Sequence, residues 1–291
     1  MAYQIFTDAT ADLSEDLLSG CPPVGVVPMD VEVGEASYTY TYGPGGNLTT
    51  PDFYTMQRAG QFAVTSQINP ETYRAAFEPA LREGRDVVYL SFSSGMSGTI
   101  QGARLCAEEL REAYPERTVL CLDTLCASAG EGFLVREAAL RQKEGLDAQA
   151  LAAWVETRRL QVCHWFTVDT FTHLRHGGRV SAASAAVGSM LQIKPLLHVD
   201  ESGALKVAGK PRGRAGAIQA KLKRMEEGWR PDLGKLVVVA HGDCPEDADR
   251  LRQKIAERFP EAEIRTTEIG PVIGAHTGPG MLAVLYWGDN R

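Results

Sequence analysis

Asp86-Val-Val-Tyr-Leu-Ser-Phe-Ser-Ser-Gly-Met-Ser-Gly-Thr-Ile-Gln-Gly-Ala103 predicts a strand, a turn and a helix in direct succession. Residues 87–92 are apolar, aromatic and β-branched, as in a buried strand. Ser93–Gly98 is a turn of small residues, and the helix that follows leaves its first N–H groups unbonded and favours negative charge at that end. The sequence therefore predicts an anion site at this turn. The alternative, in which the serines of the turn merely cap the helix, is left open.

Strands alternate with helices along the first half of the chain. The predicted strands lie at residues 3–7, 24–33, 87–92 and 118–122. This order predicts an α/β fold in which residues 1–160 form a domain with a doubly wound, mostly parallel sheet. Ligands of such sheets bind outside the carboxyl ends of the strands, and the Ser93–Gly98 turn lies at one of these ends.

A second domain is expected from residue 161 to residue 291. Its predicted strands lie at residues 163–168, 194–199, 204–208, 235–241, 263–268 and 281–287. The second and third of these form a hairpin, helices separate most of the others, and a Gly/Pro-rich loop precedes the last, so this domain is predicted to be α/β with a mixed sheet. A chain of 291 residues fits two domains of ordinary size.

Composition argues against several classes of protein. The formal net charge of −7 does not suit a general nucleic-acid-binding protein, and no apolar run approaches the roughly 18 residues of a membrane span. The six cysteines are scattered and form no C-x-x-C pair, so neither a zinc site nor a disulfide framework is expected. The first residues carry no basic-then-apolar leader, so we expect a cytoplasmic protein without an integral membrane segment.

Hydroxyl and imidazole groups near strand ends are the candidates for a binding site. Thr65 and Ser66 precede a helix that opens at Asn69-Pro70, and they are candidate hydroxyl donors. His276 lies in a Gly/Pro-rich loop between apolar strands, where its ring either binds a ligand or bridges backbone carbonyls.

Other polar groups give weaker signals. Asp8, Thr10 and Asp12 follow the first strand, and capping of the next helix is favoured over lining a crevice. Gly95-Met-Ser-Gly98 lacks the spacing of a nucleophile elbow. His173 and His176 have no third metal ligand spaced nearby. No complete catalytic set is therefore predicted.

Six motifs in order resemble the DegV family, whose studied members are the fatty-acid-binding subunits of bacterial fatty acid kinase. They are Thr7-Asp-Ala-Thr-Ala-Asp-Leu13, Thr65-Ser-Gln67, Ser93-Ser-Gly-Met-Ser-Gly-Thr99, Gly177-Gly-Arg-Val-Ser181, Ile193-Lys-Pro195 and Gly270-Pro-Val-Ile-Gly-Ala-His-Thr-Gly-Pro-Gly280. The resemblance spans nearly the whole chain. The sequence departs from the family pattern at Ala9, where serine is usual, and at Ile68-Asn69, where Pro-Ser is usual. Both departures bear on ligand preference more than on fold.

The resemblance implies a carrier with no catalytic residue, metal or cofactor of its own. One long-chain fatty acid would lie between the two domains as the ligand. Its carboxylate would be bound by the hydroxyl of Thr65 or Ser66, by Ser94 with the Gly95 N–H, and by His276.

The same resemblance implies a protein partner. Arg179 would face an ATP-dependent kinase subunit, which converts the bound carboxylate to an acyl-phosphate for phospholipid synthesis. The apolar segment Ala182–Ile193 is the candidate lining for the acyl tail, with ordinary core as the alternative.

Two other functions remain open from the sequence. One is a hydrolase or acyltransferase that acts without a partner and uses Ser94 or Ser97 with His276 as base. The other is a regulatory protein whose lipid occupancy is sensed by a different partner.

Overall fold

The computed structural model describes residues 2–180 and 192–291. Its strands are β1 (Tyr3–Asp8), β2 (Gly25–Val27), β3 (Met29–Val33), β4 (Ala36–Tyr40), β5 (Ala63–Thr65), β6 (Asp86–Ser91), β7 (Val119–Asp123), β8 (Val162–Thr167), β9 (Leu196–Val199), β10 (Leu205–Gly209), β11 (Leu236–His241), β12 (Glu263–Glu268) and β13 (Leu282–Trp287). Its helices are α1 (Thr50–Arg58), α2 (Pro70–Arg82), α3 (Thr99–Ala113), α4 (Ala129–Lys143), α5 (Ala148–Arg158), α6 (Thr172–His176), α7 (Gly213–Gly228), α8 (Pro245–Arg258) and α9 (Pro271–Thr277).

A four-stranded parallel sheet forms the first half of the molecule, in the order β2-β1-β6-β7. β6 is buried along its whole length, as expected of a parallel strand with both faces covered. The polar residues that follow β1 and β6 therefore meet at one edge of the sheet.

Pro28 divides the predicted strand at residues 24–33 into two strands of different sheets. β2 ends at Val27 in the parallel sheet, whereas β3 begins at Met29 and joins the antiparallel sheet β4-β3-β5. Proline has no N–H to donate to a ladder, so the chain leaves the first sheet there. This small sheet brings Thr65, at the end of β5, to the edge of the binding cavity described below.

A six-stranded mixed sheet forms the second half, in the order β10-β9-β8-β13-β11-β12. β11 and β12 run parallel, and the other neighbours are antiparallel. The turn Asp200–Gly203 between β9 and β10 reaches back to the first half of the molecule, where the Ser93 hydroxyl donates to the Gly203 carbonyl at 2.7 Å.

Helix α4 lies between the two sheets. It packs against β6 on one side and against β8, β11 and β13 on the other, and every residue from Ala129 to Ala139 is buried. Helices α2 and α3 cover the other face of the parallel sheet, and α7 and α8 cover the other face of the mixed sheet. The largest hydrophobic cluster therefore combines residues of both halves, from Ile5 and Leu90 to Phe166 and Leu285.

The predicted fold class is confirmed: the molecule is α/β, with a parallel sheet in its first half and a mixed sheet in its second. The domain boundary at residue 160 stays a prediction. Most of the candidate tail lining, Ala182–Ile193, lies outside the described residues. Within residues 2–180 and 192–291, each helix is too short or too polar to cross a bilayer.

Candidate functional site

A cavity lies at the carboxyl ends of the parallel strands and is lined by both halves of the molecule. It encloses about 800 Å³ of empty space, including its open mouth. Most of its wall is apolar: Met29, Phe92, Met96, Ala127, Trp165, Phe166, Leu174, Val199, Leu205, Val272, Ile273, Met281, Ala283 and Leu285. Its polar wall residues are Thr10, Thr65, Ser97, Thr99, Ser128, His164, Arg179, His276 and Thr277.

A threonine–histidine pair lies on the cavity wall. The Thr65 Oγ1 and His276 Nε2 atoms are 2.9 Å apart, although the two residues belong to different halves of the chain. Burial, and secondarily the charge of Arg179, lowers the pKa of His276 to about 4, so its ring is neutral at neutral pH. A neutral ring donates from one nitrogen, and the tautomer with the proton on Nε2 leaves the Thr65 hydroxyl hydrogen free for a ligand.

The turn before α3 contributes Ser97 to the wall. Its Oγ lies 2.8 Å from Thr99 Oγ1 and accepts from the Thr99 N–H at 3.2 Å, at the first residue of α3. Both hydroxyls line the cavity, next to the end of α3 that favours negative charge. The turn predicted to bind an anion is thus in the cavity wall, through Ser97 and Thr99.

Ser94 and Gly95 lie in the same turn but are not among the lining residues. Ser94 is exposed, and its N–H donates to Asp123 Oδ1 at 3.2 Å. The Gly95 N–H donates to Ser93 Oγ at 3.1 Å. A Cβ on Gly95 would lie 2.5 Å from the Ser202 carbonyl oxygen, so this part of the turn is used to dock the two halves together.

Ser66 is also exposed and is not on the cavity wall. Arg179 is exposed and does line the cavity. It lies beyond Gly177, whose backbone is so close to His276 that an added Cβ would be 2.2 Å from Nδ1. The structure therefore brings Thr65, His276 and Arg179 together, and it does not bring Ser66, Ser94 or Gly95 to the cavity.

Behind the polar wall lies a group of buried carboxyls. Thr10 Oγ1 is within hydrogen-bond distance of Asp8 Oδ1 and lies 2.7 Å from Glu131 Oε2. A hydroxyl has one hydrogen, so one of the two carboxyls must itself donate. Burial and the nearby Asp8 raise the pKa of Glu131 well above its usual value. Burial raises the pKa of Asp8 as well, so this pair of carboxyls shares one proton.

The geometry does not favour a Ser–His hydrolase. His276 pairs with Thr65, and its Nδ1 has no partner among the described residues that would orient the ring as a base. Its pKa of about 4 also makes it a weak base at neutral pH. Ser97 is bonded to Thr99, and Ser94 lies off the cavity wall.

A family model described as "Uncharacterised protein, DegV family" matches residues 2–289. The chain belongs to the DegV family. A DegV domain-containing protein of Clostridium perfringens is 36% identical over 289 residues, which cover 99% of this chain and 98% of that protein.

Solved DegV structures share the fold. One described as "Fatty Acid Binding of a DegV family Protein from Thermus thermophilus" has a TM-score of 0.85 and 31% identity, over 99% of this chain and 100% of that chain. DegV from Bacillus subtilis, described as a fatty acid binding protein, has a TM-score of 0.83 and 26% identity, over 99% of this chain and 100% of that chain.

The Fak B3 protein of the Streptococcus pneumoniae fatty acid kinase, solved with linoleic acid, has a TM-score of 0.88 over 99% of this chain and 100% of that chain. At 20% identity it supports the fold alone. The match to the DegV family confirms the resemblance seen in the sequence.

Sequence reasoning missed two features of the site. The first is that Ser97, and not Ser94, lies on the cavity wall. The two serines belong to the same turn, and the local sequence does not reveal which of their side chains faces the cavity. The sequence favours capping of the next helix by Asp12, but its side chain instead accepts from the Gly270 N–H at 2.7 Å, at the start of α9 in the other half, and Thr10 lines the cavity. The chain directly after Asp12 forms turns instead of the expected helix.

Proposed function

We propose that this protein binds one long-chain fatty acid in the cavity, as a cytoplasmic carrier without chemistry of its own. The observation that carries the proposal is a cavity with a largely apolar wall that also carries the bonded pair Thr65–His276 and, in the turn before α3, the hydroxyl of Ser97. Fatty acids have this division into a long apolar chain and one anionic end. The printed descriptions of the Thermus thermophilus and Bacillus subtilis proteins support the same ligand class.

Burial of the acyl chain supplies most of the affinity. A chain of ~14 methylenes offers roughly 11 kcal/mol gross at about 0.8 kcal/mol each, before the cost of ordering ligand and protein. A hydrogen bond to a charged group adds about 1.5–3 kcal/mol. The apolar wall thus sets how tightly the ligand binds, and the polar side chains set which end lies at the mouth.

Native mass spectrometry with lipid extraction, on protein purified from a bacterial host, tests this proposal. We expect one fatty acid retained per chain. Protein that is empty and also fails to take up added palmitate contradicts it.

In the carboxylate site that we propose, Ser97 and Thr65 donate their hydroxyls and His276 orients Thr65. Ser97→Ala is expected to weaken palmitate binding about 10-fold, because it removes a donor to a charged group. Ser94→Ala is the matched control in the same turn, and its affinity is expected to stay within about 2-fold of the wild type. Isothermal titration calorimetry measures both. The reverse result would instead support the site made by Ser94, Gly95 and Ser66.

We further propose that the bound carboxylate is presented to an ATP-dependent kinase subunit, which forms an acyl-phosphate of the kind that phospholipid synthesis consumes. Arg179 is exposed at the cavity, and although its Nη1 donates to the Gly177 carbonyl, its other N–H groups would meet both the partner and the transferred phosphoryl group. The motivation for a kinase partner is membership of the DegV family, because the six motifs of the sequence resemble those of the fatty-acid-binding subunits of bacterial fatty acid kinase.

Arg179→Gln separates presentation from binding. Palmitate affinity is expected to change by less than about 2-fold, because Arg179 is not among the groups proposed to donate to the carboxylate. Partner-dependent acyl-phosphate formation is expected to fall about 100-fold, the usual effect of removing a group that stabilises transferred charge. A kinase assay with palmitate and ATP measures this rate. An unchanged rate contradicts the partner-facing role of Arg179.

A further inference from the structure

Asp12 joins three separated segments of the chain. It is 3% exposed, and its carboxylate bonds the Ser128 hydroxyl at the start of α4 and the Gly270 N–H at 2.7 Å. Its own backbone carbonyl accepts from the Thr267 hydroxyl at 2.7 Å. The start of α4, the end of β12 and the start of α9 are thus all held by one residue.

Helix α9 depends on such anchors for its position. It has seven residues, too few for a helix to be stable without tertiary contacts. Gly270 is its N-cap residue, and His276 lies in its last turn, roughly 9 Å further along the axis. Helix α1 holds its flank, where Gln57 Nε2 donates to the Gly274 carbonyl at 3.1 Å. The bond from Asp12 fixes its first residue.

We propose that Asp12 is a positioning residue for the ligand carboxylate, because its bond to Gly270 fixes α9 so that His276 stays paired with Thr65. This role rests on the proposed fatty-acid site and extends it to a residue that touches no ligand. Asp12 suits the role because it follows β1 and Thr10, so the helix that carries His276 is tied directly to the polar wall of the cavity.

The chemistry of Asp12 provides a conservative variant. Burial raises the pKa of Asp12 to about 8, so the neutral carboxyl is well populated at pH 7. An asparagine reproduces that form: its oxygen accepts from the Gly270 N–H, and its amide donates to Ser128. Asp12→Asn is therefore expected to retain the positioning.

Asp12→Gly removes the side chain with little backbone cost, because Asp12 has a φ of 45°, which glycine adopts freely. The readout is the ratio of affinities for palmitate and hexadecanol, which share an acyl chain while the alcohol lacks the carboxylate. We expect Asp12→Gly to lower palmitate affinity about 10-fold and hexadecanol affinity less than 2-fold. A purely structural role would lower both equally.

Two further variants complete the experiment. Thr267→Val removes a buried bond to the Asp12 backbone but leaves the Asp12 carboxylate in place, so the ratio is expected to stay at the wild-type value. Asp12→Ser, too short to reach Gly270, is expected to behave as the glycine variant does and replaces it if that variant does not fold.

The ¹⁵N shifts of the His276 ring provide a measurement on the ligand-free protein. Wild type, Asp12→Asn and Thr267→Val are expected to show one tautomer, and Asp12→Gly an average of two.

The outcomes separate the two proposals. A wild-type preference for palmitate that persists in Asp12→Gly and Asp12→Ser, with unchanged ring shifts, overturns the positioning role and leaves the fatty-acid site intact. Wild-type protein that binds palmitate no better than hexadecanol overturns the carboxylate site and the role of Asp12 together. Loss of the preference in Asp12→Asn also overturns the role, since that variant keeps the bond to Gly270.

Discussion

Lys221→Met is expected to raise the free energy of unfolding by about 3 kcal/mol at pH 7. Lys221 is 0% exposed in α7, and its amine bonds the Thr167 hydroxyl at 2.8 Å. No carboxylate of residues 2–180 or 192–291 lies within salt-bridge distance of it. Burial lowers the pKa of Lys221 from 10.5 to about 7, so folding must release much of its charge. Methionine has a similar shape and no charge to lose, although Thr167 gives up one bond.

The effect has a defined pH dependence. Because the pKa of Lys221 is lower in the folded protein, the unfolded chain binds more protons between pH 7 and pH 10.5, and wild-type stability rises with pH in this window. The Lys221→Met variant lacks this rise. Its advantage over the wild type is therefore expected to shrink by about 1 kcal/mol per pH unit above pH 7.

Urea unfolding at pH 7, 8, 9 and 10 measures both the size and the slope. Lys223→Met is the matched control on the same helix, since the Lys223 side chain is 74% exposed. It is expected to change stability by less than about 0.5 kcal/mol at every pH. A Lys221→Met advantage that is constant with pH would show that packing, and not the buried charge, is its source.

Gly130→Ala is expected to lower the free energy of unfolding by about 3–5 kcal/mol. Gly130 lies in the first turn of α4, and an added Cβ would be 1.9 Å from the His164 Nε2 atom. His164 is 3% exposed and has its Nδ1 bonded to the Val162 carbonyl at 2.8 Å, so it has little room to move. The clash therefore forces α4 away from the mixed sheet.

Gly216→Ala provides the comparison. This glycine also lies in the first turns of a helix, α7, but the nearest atom to its added Cβ is 3.7 Å away. The variant is expected to gain about 0.5–1 kcal/mol from the higher helix propensity of alanine. Thermal and urea unfolding compare the two. If the clash is the cause, Gly130→Ala costs much less when His164→Ala is also present, and additive losses in the double variant would argue against it.

Local features of the fold were accessible from the sequence. The strand β6, its turn and helix α3 are each determined by neighbours a few residues away, so composition and periodicity located them. Pro28 indicated a bend in a strand or an edge strand. The sequence did not indicate that the residues after Pro28 pair with a different sheet, because that depends on strands distant in the chain. The sequence therefore predicted a strand at residues 24–33 and did not predict that two sheets share it.

The sequence indicated where in the fold the candidate site lies, but it did not indicate which side chains face the cavity. Thr65 and His276 were identified individually, and the structure pairs them across 211 positions of the chain. The choice between Ser94 and Ser97 depends on which hydroxyl faces the cavity, and the docking of Gly95 against Ser202 decides it. The bond from Asp12 to Gly270 spans 258 positions, so no local pattern could indicate it.

The position of α4 bears on how a ligand enters and leaves. If the two halves separated, α4 would lose its contact with one of the two sheets, and the apolar side chains on that face would be exposed to water. Exposing Phe133 alone, which is 0% exposed and packs edge-on against Trp287 of the mixed sheet, would cost about 1.5–3 kcal/mol. Passage of a ligand through the edge of the cavity, where Thr65 and Arg179 lie, avoids this cost. We therefore expect the proposed ligand to exchange at the edge of the cavity, without separation of the two halves.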